Sequence, residues 1–203
     1  MLKICGEATT ERPSKQPYIF KEQLFQQYDK IQALDQDDEG NMVFKVKSNN
    51  DDKIYLMKEI SLQGLPAAER KKALKEVSIF KGIKHLHIQG VQESFFADGN
   101  LCIVYEFCDS GTLNKELRER YELKQYFSED ELMSWFSHIC HGLKYMHDMG
   151  IAHRQIDSRA VLLHLVCEDT EGVCLKIGAF AKAINVDQRT VSKKKQSYDE
   201  KYE

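Results

Sequence analysis

The sequence predicts an α+β chain, with a strand-rich first half carrying one inserted helix and a mainly helical second half. Three observations predict it. Short runs rich in β-branched and aromatic residues, bounded by Gly, Asn and Asp turns, recur between residues 23 and 107. One segment among them, Ala67 to Gly82, instead spaces Ala73, Leu74, Val77 and Phe80 at helical intervals. After Cys108-Asp109-Ser110-Gly111 breaks the pattern, helical periodicity takes over as far as Gly150.

Residues 1–22 are polar, contain Pro13 and Pro17, and read as a flexible arm. Ile31 to Leu34 and Met42 to Lys47 read as strands joined by the acidic loop Asp35-Gln36-Asp37-Asp38-Glu39-Gly40-Asn41. Asn49-Asn50-Asp51-Asp52 is a turn, and Ile54 to Ile60 a third strand. Pro66 suits the start of the helix that follows. Val91 to Phe96 and Leu101 to Phe107 are strands around the hairpin turn Ala97-Asp98-Gly99-Asn100.

Thr112 to Glu122 is a helix of moderate strength. Ser128-Glu129-Asp130-Glu131 has the form of a capping box, with Ser128 accepting from the Glu131 N–H and the Glu131 carboxylate reaching back. Leu132, Phe136, Ile139, Leu143 and Met146 then mark an apolar stripe, with Trp135 beside it at the core or its rim. Val161 to Val166 and Val173 to Ile177 read as strands flanking a turn at Glu168 to Gly172. Beyond Ile184 the chain turns polar and basic.

With 203 residues, the chain is long enough to bury a real core. A formal net charge of −3 gives no reason to expect nucleic acid as a partner. No apolar run approaches the roughly 18 residues of a membrane span, and the N-terminus lacks the apolar core of a signal peptide. The cysteines Cys5, Cys102, Cys108, Cys140, Cys167 and Cys174 show no C-x-x-C or zinc-like spacing and suit reduced thiols in a cytoplasmic protein.

Ile151 to Leu163 resembles the catalytic loop of protein kinases, H-R-D-L-K-P-x-N-I/L-L, with its frame kept at His153-Arg154 and Leu162. Around it, Lys58 in Tyr55-Leu56-Met57-Lys58 resembles the V-A-I-K lysine, and Glu76 the helix glutamate that pairs with it. Leu101 to Cys108 resembles the strand running into the hinge. Leu175-Lys176-Ile177-Gly178-Ala179-Phe180-Ala181 resembles the approach to D-F-G. The details at Lys58-Glu59-Ile60, Glu106-Phe107-Cys108 and Trp135-Phe136 most resemble the NIMA-related serine/threonine kinases. The resemblance implies a two-lobed fold. Residues 23–107 would form a small lobe of about five antiparallel strands plus one helix. Residues 108–184 would form a partial, mainly helical large lobe, and residues 185–203 a polar tail in the place of an activation segment. The remaining large-lobe helices and A-P-E are not found in this sequence, which the resemblance reads as a truncated chain or partial gene model.

Phosphoryl transfer asks a protein mainly for positioning and charge neutralisation. Here Gln155 stands at the place of the catalytic Asp and cannot take up a proton as a carboxylate does. Ala160 and Ala179 stand at the metal-binding Asn and Asp and offer no oxygen ligand. The glycine loop retains only Gly40. Asp35 and Asp37 fill two glycine positions beside Asp38 and Glu39, which either repel phosphate or form a solvated turn facing away. Asp157 is the one displaced carboxylate that could act as a base.

Leu56 and Tyr105, the latter at the gatekeeper position, are expected to close the adenine pocket with side chains. Lys58, Glu76, Glu106 and Cys108 would outline a vestigial nucleotide site, with Lys58 and Glu76 as a structural ion pair. Phe80, Val91, Phe180 and His153 would form the packed column between the lobes, each burial contributing about 1.5–3 kcal/mol.

The resemblance therefore implies a degenerate member, a pseudokinase acting as scaffold or allosteric partner, with no catalytic residue, no magnesium site and no cofactor beyond weakly bound ATP. Two alternatives stay open: a weak serine/threonine kinase using Asp157, and an ATP-binding switch without turnover. A protein partner is expected, covering apolar surface on the Leu132–Met146 helix, and neither nucleic acid nor membrane. Thr190, Ser192 and Ser197 are exposed-hydroxyl candidates for phosphorylation.

Overall fold

The computed structural model describes residues 27–34, 36–37, 39–80, 83–165 and 172–186, with the side chains of residues 72, 75, 76 and 80 not described. The expected arm 1–22, Asp35, Asp38, Cys5, Cys167, most of the 168–172 turn and the tail hydroxyls Thr190, Ser192 and Ser197 lie outside the described residues. So do the side chains of Glu76 and Phe80.

Five antiparallel strands form the first sheet: β1 (Tyr28–Ala33), β2 (Met42–Ser48), β3 (Ile54–Ser61), β4 (Val91–Ala97) and β5 (Asn100–Glu106). Their order is β1-β2-β3-β5-β4, with helix α1 (Ala67–Phe80) inserted between β3 and β4. This is the small lobe that the sequence predicts. The central strand β5 is buried on both faces. Leu101, Ile103 and Tyr105 face the cluster that includes Val77 of α1 and Phe180, while Cys102 and Val104 face Met57, Phe95 and Tyr28. Period-2 alternation gives each face its own core.

The first strand starts earlier than the sequence suggests. Ile31, taken as its first apolar anchor, sits at a register shift between Lys30 and Gln32 and is 52% exposed. Tyr28 is the anchor instead. Its ring stacks on Phe95 with centroids 6.2 Å apart, and its hydroxyl donates to Glu93.

The second half contains α2 (Leu113–Leu123) and α3 (Glu129–Asp148). Two short antiparallel pairs follow: β6 (Ile151–Ala152) with β9 (Ile184–Asn185), and β7 (Val161–Leu165) with β8 (Val173–Ile177). Thr112 caps α2 by accepting from the Lys115 N–H, so it precedes the helix rather than opening it. Ser128 accepts from the Glu131 N–H as expected. The Glu131 carboxylate, however, takes a bidentate pair from Arg120 at 2.5 and 2.9 Å, which joins α2 to α3.

The predicted stripe on α3 holds in its C-terminal part, where Met146 is buried and Ile139 and Leu143 pack on the cores, and fails in its N-terminal part. Trp135, Gly142 and Met146 are buried, whereas Leu132 and Phe136 are 49% and 63% exposed. Gly142 marks a close approach of the helix to its neighbours. A Cβ there would lie 2.7 Å from the His87 carbonyl oxygen and 2.9 Å from Ile177 Cδ1, so the helix turns its smallest residue toward the segment before β4 and toward β8. Trp135 joins Val161, Leu163 and Leu175 in a separate core.

Candidate functional site

A cleft of about 370 Å³ opens between the small sheet and the β6–β7 segment. The β1–β2 loop, β3, β5 and the turns before β7 and after β8 each supply part of its wall. Lys58 is held there by its register opposite Ile103, and only 7% of it is exposed. A buried ammonium needs a partner. Asp37 Oδ2 lies 2.9 Å from Lys58 Nζ, and Glu39 Oε2 lies 3.9 Å away. Of the two readings the sequence leaves open, Asp37 and Glu39 follow the one that places carboxylates in the cleft and not the one that turns them to solvent.

The loop adopts this turn because Asp37 is its hub. Asp37 Oδ1 accepts from the Glu39 N–H at 3.0 Å and the Asn41 N–H at 2.8 Å, and the Asn41 side-chain amide donates to both carboxylate oxygens. Gly40, at φ +80°, closes the turn with an N–H to the Asp37 carbonyl at 2.9 Å. Burial works to raise the Asp37 carboxyl. Hydrogen bonds from Asn41 and Lys58, with the charge of Lys58, overcome it and hold the pKa below the usual carboxylate range. N–H donors thus fill the acceptor sites of this carboxylate, and it is poorly placed to ligate a cation.

The loop after β6 keeps its frame. His153 is 2% exposed, its Nε2 donates to the Gly178 carbonyl at 2.7 Å, and its ring meets Phe180 edge-on with centroids 5.7 Å apart. His153 and Phe180 are thus in contact as the packed column requires, and Val91 packs on the same cluster as Phe180. Arg154 Nε donates to the Lys182 carbonyl at 2.7 Å.

Gln155, Ala160 and Ala179 all line the cleft. Ala179 adopts φ 56°, ψ 58°, the left-handed conformation that is uncommon for a residue with a Cβ. Asp157 also lines the cleft, but it is engaged by its own turn. Its Oδ1 accepts from the Arg159 and Ala160 N–H groups at 2.9 and 3.1 Å, and its Oδ2 from Arg159 Nη2 at 2.9 Å. The side-chain and backbone bonds from Arg159 pull its pKa down, the opposite direction from a base working near neutrality.

Leu56 and Tyr105 line the cleft without closing it, which corrects the expectation of a pocket filled by side chains. Glu106 and Cys108 contribute no side chain to its wall. The Glu106 carboxylate turns to Lys176, accepting from Nζ at 2.8 and 2.9 Å, and its carbonyl accepts from Gln89 Nε2 at 2.9 Å. The Cys108 thiol is buried, and burial pushes its pKa up to about 12.

Sequence reasoning missed Lys176 and Gln89. Both are buried polar residues, 7% and 5% exposed, that join β8 to the end of β5. Gln89 N–H also donates to the Ile177 carbonyl at 2.8 Å. The available signal was a lysine inside the apolar run Val173-Cys174-Leu175-Lys176-Ile177.

A five-stranded antiparallel sheet with one inserted helix, a buried lysine on its third strand and an H-R loop stacked on a phenylalanine after β8 define a protein-kinase-like fold. The family described as protein kinase domain matches residues 38–202, and the chain belongs to it. Its relatives are NIMA-related kinases. It is 31% identical over 167 residues to the probable serine/threonine-protein kinase nek3 of Dictyostelium discoideum, covering 81% of this chain and 14% of that protein. It is 36% identical over 157 residues to human serine/threonine-protein kinase Nek5, covering 77% of this chain and 21% of that protein. With mouse serine/threonine-protein kinase Nek1 it shares 34% over 138 residues, 68% of this chain and 11% of that protein. The chain thus aligns with only about a tenth to a fifth of these relatives' lengths.

Proposed function

We propose that this chain is a kinase-fold domain that does not transfer phosphate and acts in signalling as a scaffold or allosteric partner. The observation that carries the reading is the Asp37–Lys58 pair at 2.9 Å. In a kinase that lysine holds nucleotide phosphates. Here an intrachain carboxylate takes a share of its charge, and a phosphate approaching it meets a like charge. Around the same cleft Gln155 supplies no base, and Ala160 and Ala179 supply no side-chain oxygen for magnesium.

On this reading the domain has no magnesium site and no cofactor beyond weakly bound ATP. Its relatives are protein kinases by name, and a member that keeps the fold without the chemistry would act by contact. Leu132, Met133 and Phe136 on α3 are 49%, 61% and 63% exposed, and covering such a face with a protein partner is favourable. Among the described residues no helix is long and apolar enough to cross a membrane. A cytoplasmic site of action suits the reduced, buried thiols.

The test is a phosphotransfer assay on the purified chain with labelled ATP, magnesium or manganese, and generic Ser/Thr substrates. The expected signal equals background and is the same for Lys58→Met. A signal abolished by Lys58→Met would overturn the reading. One observation favours a second reading, a nucleotide-binding switch without turnover: the cleft volume of about 370 Å³ lies within the range of ligand pockets.

A further inference from the structure

Four of the seven histidines in the chain meet in one place, away from the cleft. His85 and His87 come from the segment before β4, and His138 and His141 from α3. The His87 ring stacks on His138 with centroids 4.3 Å apart, and the His85 and His141 rings lie 5.7 and 6.1 Å from that of His87. Cys174 of β8 completes the group, with Sγ 3.4 Å from His87 Nδ1. One ligand atom each from His87, His138 and Cys174 can be chosen so that all three lie within 4.8 Å of one another. It is the one such group of three or more His, Cys, Asp or Glu side chains among the described residues.

We propose that His87, His138 and Cys174 form a binding site for a borderline-soft transition-metal cation, with Zn²⁺ as the reference ion. The donor set argues for it. Two imidazoles and one thiolate select zinc-like ions over magnesium or calcium, which prefer oxygen. The spacing argues for it too. Zn–S of about 2.3 Å and Zn–N of about 2.0–2.1 Å at a tetrahedral angle put sulfur and nitrogen about 3.6 Å apart, a separation that small side-chain rotations reach from ligand atoms lying within 4.8 Å of one another.

The surroundings fix the ligands from behind. His87 Nδ1 donates to the Leu175 carbonyl at 3.1 Å, the kind of backbone bond that orients a ligating imidazole and leaves Nε2 with its lone pair. His138 Nδ1 accepts from the Leu175 N–H at 3.4 Å, a long bond readily exchanged for a metal. His87 and Cys174 are buried and His138 is half-buried, so an ion held there is shielded, while exposed His141 marks the side open to solvent. The fourth position then belongs to water at that side. Cys174 gives up its thiol proton to the medium when the metal binds. The ion would tie α3, β8 and the segment entering β4 together at the joint between the two halves of the fold.

The test uses the 203-residue chain, freed of metal by chelation and titrated with Zn²⁺ and Co²⁺. Calorimetry is expected to give a single high-affinity equivalent, and Co²⁺ a thiolate-to-metal charge-transfer band. Zn²⁺ is expected to raise the melting temperature. Cys174→Ser removes the band, and His138→Gln weakens binding by at least the roughly tenfold that loss of an outer-shell partner costs. A chain with Cys5, Cys102, Cys108, Cys140 and Cys167 changed to Ser or, at the buried Cys102 and Cys108, to Ala keeps the band, and so does the triple variant with only Cys5, Cys140 and Cys167 changed, which separates this site from other thiols even if a ligand variant fails to fold. Absence of the band in the parent chain or in that triple variant would overturn the proposal. So would its survival in Cys174→Ser, or unchanged affinity in His138→Gln.

Discussion

Asp37 and Lys58 meet at 2.9 Å inside the cleft, one from the β1–β2 loop and the other from β3. The same carboxylate collects the Glu39 and Asn41 N–H groups, so a single side chain both folds the loop and pairs the buried lysine. The loop is therefore a structural element.

Asp37→Ala is accordingly expected to destabilise the chain by about 1–3 kcal/mol, since it removes several hydrogen bonds to a charged group and is discounted for partial exposure. Chemical denaturation reads this as a lower midpoint with unchanged slope. The pH dependence has a definite sign. The folded pKa of Asp37 is lowered, so its contribution is present above the unfolded carboxylate range and is lost as pH falls through the folded value. The difference between parent and Asp37→Ala narrows in acid.

Lys176 and Glu106 give an asymmetric pair of variants. Lys176 is 7% exposed, whereas the Glu106 side chain is 34% exposed. Glu106→Gln leaves a buried ammonium without its counter-charge and is expected to cost about 2–4 kcal/mol. Lys176→Met removes the buried charge and leaves a carboxylate that water reaches, so it is expected to cost about 1 kcal/mol. Urea midpoints in the opposite order would refute this account of the joint.

Trp135 and Phe136 are neighbours on α3 with opposite environments, 7% and 63% exposed. Trp135→Ala is expected to lose about 3–5 kcal/mol through the cavity it leaves among Val161, Leu163 and Leu175. Phe136→Ser is expected to change stability by about 0.5 kcal/mol or less while improving solubility. Thermal unfolding and light scattering of the two variants check both statements.

The sheet was legible because strand alternation is a local signal, and the Asp-Gly-Asn and Asn-Asp turns between strands set its order. That Gln155, Ala160 and Ala179 would share one cleft was legible, because the H-R frame numbers the first two and the run ending at Phe180 numbers the third. The face of α3 was legible only in part. Its first turns carry apolar residues on two adjacent lines, and of these Trp135 is buried while Leu132 and Phe136 are exposed, although Ile139, Leu143 and Met146 further on pack as predicted. The direction of Asp37 and Glu39 was equally hidden, because four carboxylates within five residues read the same whether they face water or a lysine about 20 residues on. Lys176 and Gln89 went unread since their partners are distant in sequence, and a buried charge shows itself only once Glu106 is placed beside it.

The central proposal is that Lys58 is taken up by the chain's own carboxylates in a cleft where Ala160 and Ala179 stand at the places that the kinase resemblance gives to metal ligands. The most direct measurement is the melting temperature of the purified chain titrated with ATP to millimolar concentration, with and without magnesium. A ligand that binds only the native state raises the melting temperature by mass action. The account predicts no rise under either condition. A concentration-dependent rise that magnesium strengthens would contradict it.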